Sequence, residues 1–167
     1  MVNCILILIV SIAACMDLKR EKIDNRFIAA CWILGIGYQA GAQGFDGIRI
    51  CLTGTVWPII LLFVLFLFRM LGPGDIKLFS VIGGFVGPAV ITKCIALSFL
   101  FGAILSVGFV LVCGNLAARL LYFTNYISQV LNTKKALPYY VPGKRMENIH
   151  FSIPILMAVF IHVGGFY

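Results

Sequence analysis

The stretch Ile50-Cys51-Leu52-Thr53-Gly54-Thr55-Val56-Trp57-Pro58-Ile59-Ile60-Leu61-Leu62-Phe63-Val64-Leu65-Phe66-Leu67-Phe68 carries no charged side chain over 19 residues. Wound as a helix it would be about 28 Å long, close to the roughly 30 Å of hydrocarbon in a bilayer. A strand reading fails because the run lacks the polar alternation of membrane barrels. Only helices and closed barrels satisfy their backbone groups in lipid, so this stretch reads as a membrane helix, with Pro58 marking a kink.

Five further apolar segments flank it, at about residues 2–16, 27–41, 78–92, 95–113 and 151–167. The segment at 78–92 is rich in glycine, with Gly83, Gly84 and Gly87 ahead of Pro88. The first segment has no basic stretch before it and no small-residue cleavage site after it, so it reads as a retained helix rather than a removable signal. Between residues 115 and 132, Leu116, Leu120, Phe123, Ile127 and Val130 recur at helical spacing, with Arg119, Asn125, Gln129 and Asn132 largely elsewhere. That pattern fits an amphipathic helix lying on a membrane surface. The expected fold is therefore an all-α integral membrane protein. It is a single domain over residues 1–167, a bundle of about six transmembrane helices plus one amphipathic helix on the cytoplasmic face.

Composition agrees. The chain is 62% apolar and 11% charged, where soluble domains average about 25% charged residues. The net charge of +7 fits basic cytoplasmic loops and anionic lipid headgroups. No basic stretch interleaved with aromatics is present, which argues against a nucleic-acid partner. Eleven of the thirteen Lys and Arg residues fall in alternate connections: Lys19, Arg20, Lys22 and Arg26; Arg69 and Lys77; and Arg119, Lys134, Lys135, Lys144 and Arg145. Arg49 and Lys93 alone fall on the other side. By the positive-inside rule the rich connections face the cytoplasm and both termini face away from it.

Six cysteines, at positions 4, 15, 31, 51, 94 and 113, lie in or beside apolar segments, and no C-x-x-C pair occurs. They read as small packing residues, not as metal or redox sites. His150 and His162 have no acidic residue or cysteine close by in sequence and read as interface and packing residues. No metal site and no cofactor is expected.

Acidic residues are few, and a carboxylate at membrane depth is a functional hypothesis by default. Asp17 follows the first segment and Asp75 stands between the third and fourth, on the same side by the charge rule. Asp75 is preceded by Gly72-Pro73-Gly74. Two glycines around a proline suggest an open, non-helical junction presenting one carboxylate at the end of a span. Two carboxylates held close cannot both ionise easily. The charged one can take a proton from water, and the protonated one can polarise a carbonyl and feed a leaving amine. The pair can thus hydrolyse a peptide bond without metal or nucleophilic side chain.

These residues carry a family resemblance. Gly72-Pro73-Gly74-Asp75-Ile76-Lys77-Leu78 resembles the Gly-x-Gly-Asp-x-Lys-Leu signature of bacterial prepilin peptidases. Residues 17–25, Asp-Leu-Lys-Arg-Glu-Lys-Ile-Asp-Asn, resemble their first aspartate block, in which a Pro-Asn pair follows the basic residues. Residues 149–158, with Pro154, resemble the start of their last span. The resemblance implies a membrane aspartic endopeptidase of the bacterial cytoplasmic membrane. It implies Asp17 and Asp75 as the catalytic pair, with Gly72, Gly74 and Lys77 in support, and prepilin or pseudopilin partners that lose a short basic leader at the cytoplasmic face. Asp24 stands where the family has proline. Only about ten polar residues separate the first two segments, and the cytoplasmic insert with paired C-x-x-C motifs, associated with methylation in larger members, has no counterpart. The chain thus looks like the peptidase-only form of tight-adherence pilus systems.

Two other readings stay open on sequence. Intramembrane proteases similar to presenilins share Gly-x-Gly-Asp but add a Pro-Ala-Leu motif, for which the nearest match is Pro88-Ala89-Val90. A small transporter or assembly scaffold would also place polar residues among membrane helices, against which stands Lys77-Leu78 directly after the glycine turn. The orientation is checked by labelling single introduced cysteines in intact cells. Residues 18–26, 69–76 and 132–148 are expected to label only from the cytoplasmic side. Position 46 is expected to label from outside, and the reverse pattern would invert the topology.

Overall fold

The structure is a computed structural model that describes residues 2–20, 23–68, 70–112 and 150–165, with positions 121, 124, 125 and 128. The amphipathic segment expected over 115–132 and the loop at 132–148 lie, apart from those four positions, outside the described residues. Four helices account for nearly all of the described chain: α1 Val2–Arg20, α2 Asn25–Leu67, α3 Pro73–Val112 and α4 Ser152–Val163. No strand occurs among the described residues. By length and apolar composition α1, α2 and α3 can cross a membrane, while α4, at 12 residues, is shorter than the expected segment at 151–167.

Two glycines break the long helices. Gly44 interrupts α2 with φ 59° and ψ −132°, and Gly87 interrupts α3 with φ 81° and ψ 173°. Positive φ costs a residue with a Cβ far more than glycine. The breaks are reversals. A Cβ built on Gly47 would strike the Gln39 carbonyl, and one on Gly83 would lie 3.4 Å from Ile91. In a continuous helix residues eight apart are about 12 Å apart. Each long helix is therefore a hairpin of two limbs. The break in α2 falls in the expected outer connection. In α3 it falls at Gly87, inside the segment expected to run unbroken over 78–92. Pro88 explains the position, because it cannot donate to the carbonyl one turn back and glycine supplies the turn.

The chain forms two compact units, Met1–Gly102 with His150–Tyr167, and Ala103–Ile149. The described part of the second is mainly the end of α3. In the first, the opening limb of α3 is central: every residue from 78 to 85 is buried. Small residues let other helices reach it. Gly54 of α2 and Gly83 of α3 approach so closely that a Cβ on either would collide with the other's carbonyl. The break at Gly87 frees the Phe85 carbonyl from helical pairing, and Gln39, itself buried, donates to it through Nε2 at 2.8 Å. Thr92 Oγ1 donates to the Pro88 carbonyl and accepts from Trp57 Nε1 at 2.9 Å. Both bonds tie α2 to α3 and satisfy polar groups where water is scarce.

α1 and α4 pack on each other. α1 turns Leu6, Ile9, Val10, Ala13 and Ala14 inward, the one-sided stripe of a helix docked along one face. Its other face is equally apolar yet exposed, with Leu8 61% exposed, as are Ile33 and Ile60 of α2 at 71% and 63%. An apolar exterior this extensive suits lipid rather than water. Cys31, Cys51 and Cys94 pack inside as expected, whereas Cys4 and Cys15 lie exposed on α1.

Gly83→Ala is expected to destabilise the detergent-solubilised protein by about 3 kcal/mol, the upper range for overpacking, because backbone blocks the added methyl. Gly37→Ala, where nothing lies within 4 Å, is expected to be neutral or stabilising by up to about 1 kcal/mol. Thermal or denaturant unfolding of the two variants checks the contrast.

Candidate active site

The start of the central helix is built from Leu71-Gly72-Pro73-Gly74-Asp75-Ile76. Its first helical bond runs from the Ile76 N–H to the Gly72 carbonyl at 3.4 Å, so Gly72 is the N-cap and Pro73 the first helical residue. Proline suits that position because its missing N–H is one of the unpaired donors there anyway. Neither Gly72 nor Gly74 is among the positive-φ glycines. The non-helical junction expected at 72–75 is thus corrected: Pro73, Gly74 and Asp75 already form the first turn of α3. Glycine and proline break a helix in its middle, yet proline favours the first position of one.

Asp75 is the third residue of that turn. Its carboxylate folds back on Gly72, whose N–H serves as its backbone hydrogen-bond partner, and a Cβ on Gly72 would lie 3.2 Å from Asp75 Oδ2. This is the acidic half of a capping box, and a negative charge there also suits the helix dipole. Leu71 before the cap and Ile76 after it are both buried, at the positions of a hydrophobic staple. Gly74 lies against Ile23, a Cβ there standing 3.7 Å from its Cδ1.

Lys77, exposed on the next turn, donates from Nζ to Asn25 Oδ1 at 2.8 Å. Asn25 opens α2, so this lysine ties the start of α2 to the start of α3. Asp24 is the N-cap of α2, and its carboxylate accepts from the Arg26 N–H at 3.1 Å. Its backbone, φ −69° and ψ 131°, is one that proline also adopts. Aspartate here holds a backbone open to proline and adds a cap that proline could not supply.

Asp17 lies inside α1, in its last turns, rather than after the helix as the sequence suggested. Its side chain is 16% exposed. Oδ2 accepts the Ser152 hydroxyl at 2.7 Å and faces His150 Nδ1 at 3.3 Å. Ser152 is fully buried. The ring of Phe151, between these two residues, stands 5.2 Å from Phe99 and 6.4 Å from Phe79, centroid to centroid. That ring fixes the segment leading into α4. His150 was expected to be an interface and packing residue. Instead its acidic partner is 133 residues away in sequence, a separation no local pattern reveals.

The charges of Asp17 and His150 both act on Asp75. The bundle therefore gathers two carboxylates, an imidazole and a hydroxyl from α1, the start of α3 and the start of α4. Asp17 and Asp75 do not hydrogen-bond to each other among the described interactions. Among the described residues no group of three or more His, Cys, Asp or Glu is arranged to hold a metal ion. Chemically, a carboxylate pair with hydrogen-bond donors around one member can move protons to and from a bound peptide.

An α-helical membrane protein with two acids at adjoining helix ends is the class so defined. The profile of the type IV leader peptidase family matches residues 4–107. The chain belongs to that family, and so to a family of proteases. The matched span contains Asp17, Asp24 and residues 72–77, while His150 and Ser152 lie beyond it. No curated protein and no solved structure matches the chain.

Replacing the α2 cap separates its structural part from any chemical one. Asp24→Ala is expected to cost about 1 kcal/mol of stability, the usual loss of an N-cap. Asp24→Ser is expected to stay within a few tenths of wild type. Unfolding of the purified variants in detergent checks both.

Proposed function

We propose that this protein is a membrane-embedded aspartic endopeptidase that removes the basic leader from prepilin-like subunits at the cytoplasmic membrane face. The observation that carries the reading is the meeting of Asp17 and Asp75, 58 residues apart in sequence, at one end of the first compact unit. Asp17 stands in the last turns of α1 and Asp75 in the first turn of α3, and the Asp17 charge acts on Asp75. The match to the type IV leader peptidase family supports the same reading.

The chemistry follows from a pair that shares one proton. The ionised carboxylate accepts a proton from water as its oxygen bonds to the scissile carbonyl carbon. The protonated carboxyl donates a hydrogen bond to the carbonyl oxygen. Collapse of the tetrahedral intermediate breaks the C–N bond, a carboxyl proton goes to the leaving nitrogen, and the pair again holds one proton. No electron acceptor, methyl donor or metal enters this sequence. The short polar connection before α2 leaves no room for a methylating insert there, which favours the peptidase-only form.

The hairpin breaks at Gly44 and Gly87 favour a chain of six passes: α1, two limbs of α2, two limbs of α3, and α4. With the positive-inside rule, this topology puts the acid pair near the cytoplasmic face of a bacterial inner membrane and both termini outside. The limb of α3 that starts at Pro73 is short for a bilayer, about 21 Å at helical rise. Its all-round burial between 78 and 85 relieves it of any need to span lipid by itself.

Co-expression with a pilin precursor from the same genome, read as leader loss on a gel, tests the proposal. Asp17→Asn and Asp75→Asn are each expected to lower cleavage by about 100- to 10,000-fold, the range for removing an acid–base group, with the protein still in the membrane. Asp24→Asn, which keeps a capping oxygen, is expected to cleave normally. Activity that survives Asp17→Asn but not Asp24→Asn would move the first acid to position 24. A transporter or scaffold would cut nothing, and a presenilin-like enzyme would cut within the precursor's span.

A further inference from the structure

Asp17 has two oxygens in unequal surroundings. Oδ2 takes the Ser152 hydroxyl at 2.7 Å and faces His150 Nδ1 at 3.3 Å. Oδ1 accepts no hydrogen bond from any described residue. A carboxylate on a short side chain can rotate about its last bond, and that rotation exchanges its two oxygens. Two donors on one oxygen oppose the exchange, most strongly when the donors are themselves fixed.

They are fixed here. Ser152 is fully buried, and its hydroxyl has Asp17 as its hydrogen-bond acceptor. It sits on the first turn of α4, which is held by Phe151 beside Phe79 and Phe99 and by the packing of Ile155, Ala158 and Val159. The Phe151 ring fills the space beside Gly102, where a Cβ would lie 2.9 Å from it. His150 is a quarter exposed, at 24%. Its imidazole donates to Asp17 when the proton is on Nδ1, and its charge also reaches Asp75.

We propose that Ser152 and His150 are positioning residues that hold the Asp17 carboxylate by Oδ2 and so present Oδ1 as the oxygen that meets the substrate's water. The inference rests on the peptidase reading given above. Neither residue touches the scissile bond in this arrangement. Both act through Asp17, and Ser152 is the stronger because it is buried, closer, and unambiguous as a donor. A misplaced reacting group costs up to about 100-fold in rate, and that loss falls on the chemical step rather than on substrate binding.

The test uses the full-length protein in detergent with a purified pilin precursor, measuring kcat and KM separately. Ser152→Ala is expected to lower kcat by about 10- to 100-fold with little change in KM, and Ser152→Thr, which keeps the hydroxyl, to recover most of it. His150→Asn, whose side-chain amide can take the place of Nδ1–H, is expected to retain more kcat than His150→Ala. Each serine variant is assayed well below its own unfolding temperature, since Ser152→Ala leaves a part-buried carboxylate short of a donor and Ser152→Thr must pack an added methyl at a buried position. Should Ser152→Ala prove unstable, the comparison of His150→Asn with His150→Ala decides alone. Wild-type kcat in Ser152→Ala, or a loss confined to KM, overturns the positioning role while leaving the acid pair intact. Full activity in Asp17→Asn instead overturns the peptidase reading of Asp17, and this inference with it.

Discussion

The contact of Gly54 with Gly83 is the constraint on which the bundle depends. Membrane helices gain little from apolar burial against one another, because lipid is as apolar as leucine, and they associate chiefly by close packing. Here two backbones touch with no side chain between them. That proximity draws α2 onto the opening limb of α3 and encloses residues 78–85. An enclosed helix has a fixed start, and Asp75 stands in its first turn. The position of the carboxylate is thus set by glycines two and three helical turns further on.

The second requirement is polar. A helix that reverses inside a membrane leaves carbonyls unpaired, and each is costly in lipid. Gln39 donates to the Phe85 carbonyl, and Trp57 donates to Thr92 Oγ1, whose hydroxyl in turn donates to the Pro88 carbonyl. These three side chains make the Gly87 break affordable and also cross-link the two hairpins. Lys77 serves the opposite end of the limb in the same manner through Asn25. The lysine of the glycine–aspartate signature therefore has a structural task independent of chemistry. It joins two of the three sequence blocks that carry the family resemblance.

Much of this was legible beforehand. The uncharged run at 50–68, the scarcity of charge and the isolated Asp75 are strong local signals, and they led to an all-helical membrane protein with Asp17 and Asp75 as its notable acids. Other features were hidden for identifiable reasons. The reversal at Gly87 falls within an apolar run, where hydropathy is blind to a change of direction. Residues 72–75 were misjudged because glycine and proline break a helix in its middle but start one at its end. The link of His150 and Ser152 to Asp17 is not legible in the sequence because their partner is contributed by the first helix, so it exists only in the folded chain.

The placement of those two donors also bears on when the site is complete. Helices enter the membrane in the order in which the ribosome makes them. Both acids are synthesised once residue 75 is added, but the groups that grip Asp17 come later: His150 just before α4 and Ser152 in its first turn. A chain arrested before residue 150 would carry both carboxylates with neither Ser152 nor His150 beside Asp17. Synthesis itself then acts as a timer, withholding the finished arrangement until the rest of the bundle has been threaded into the bilayer.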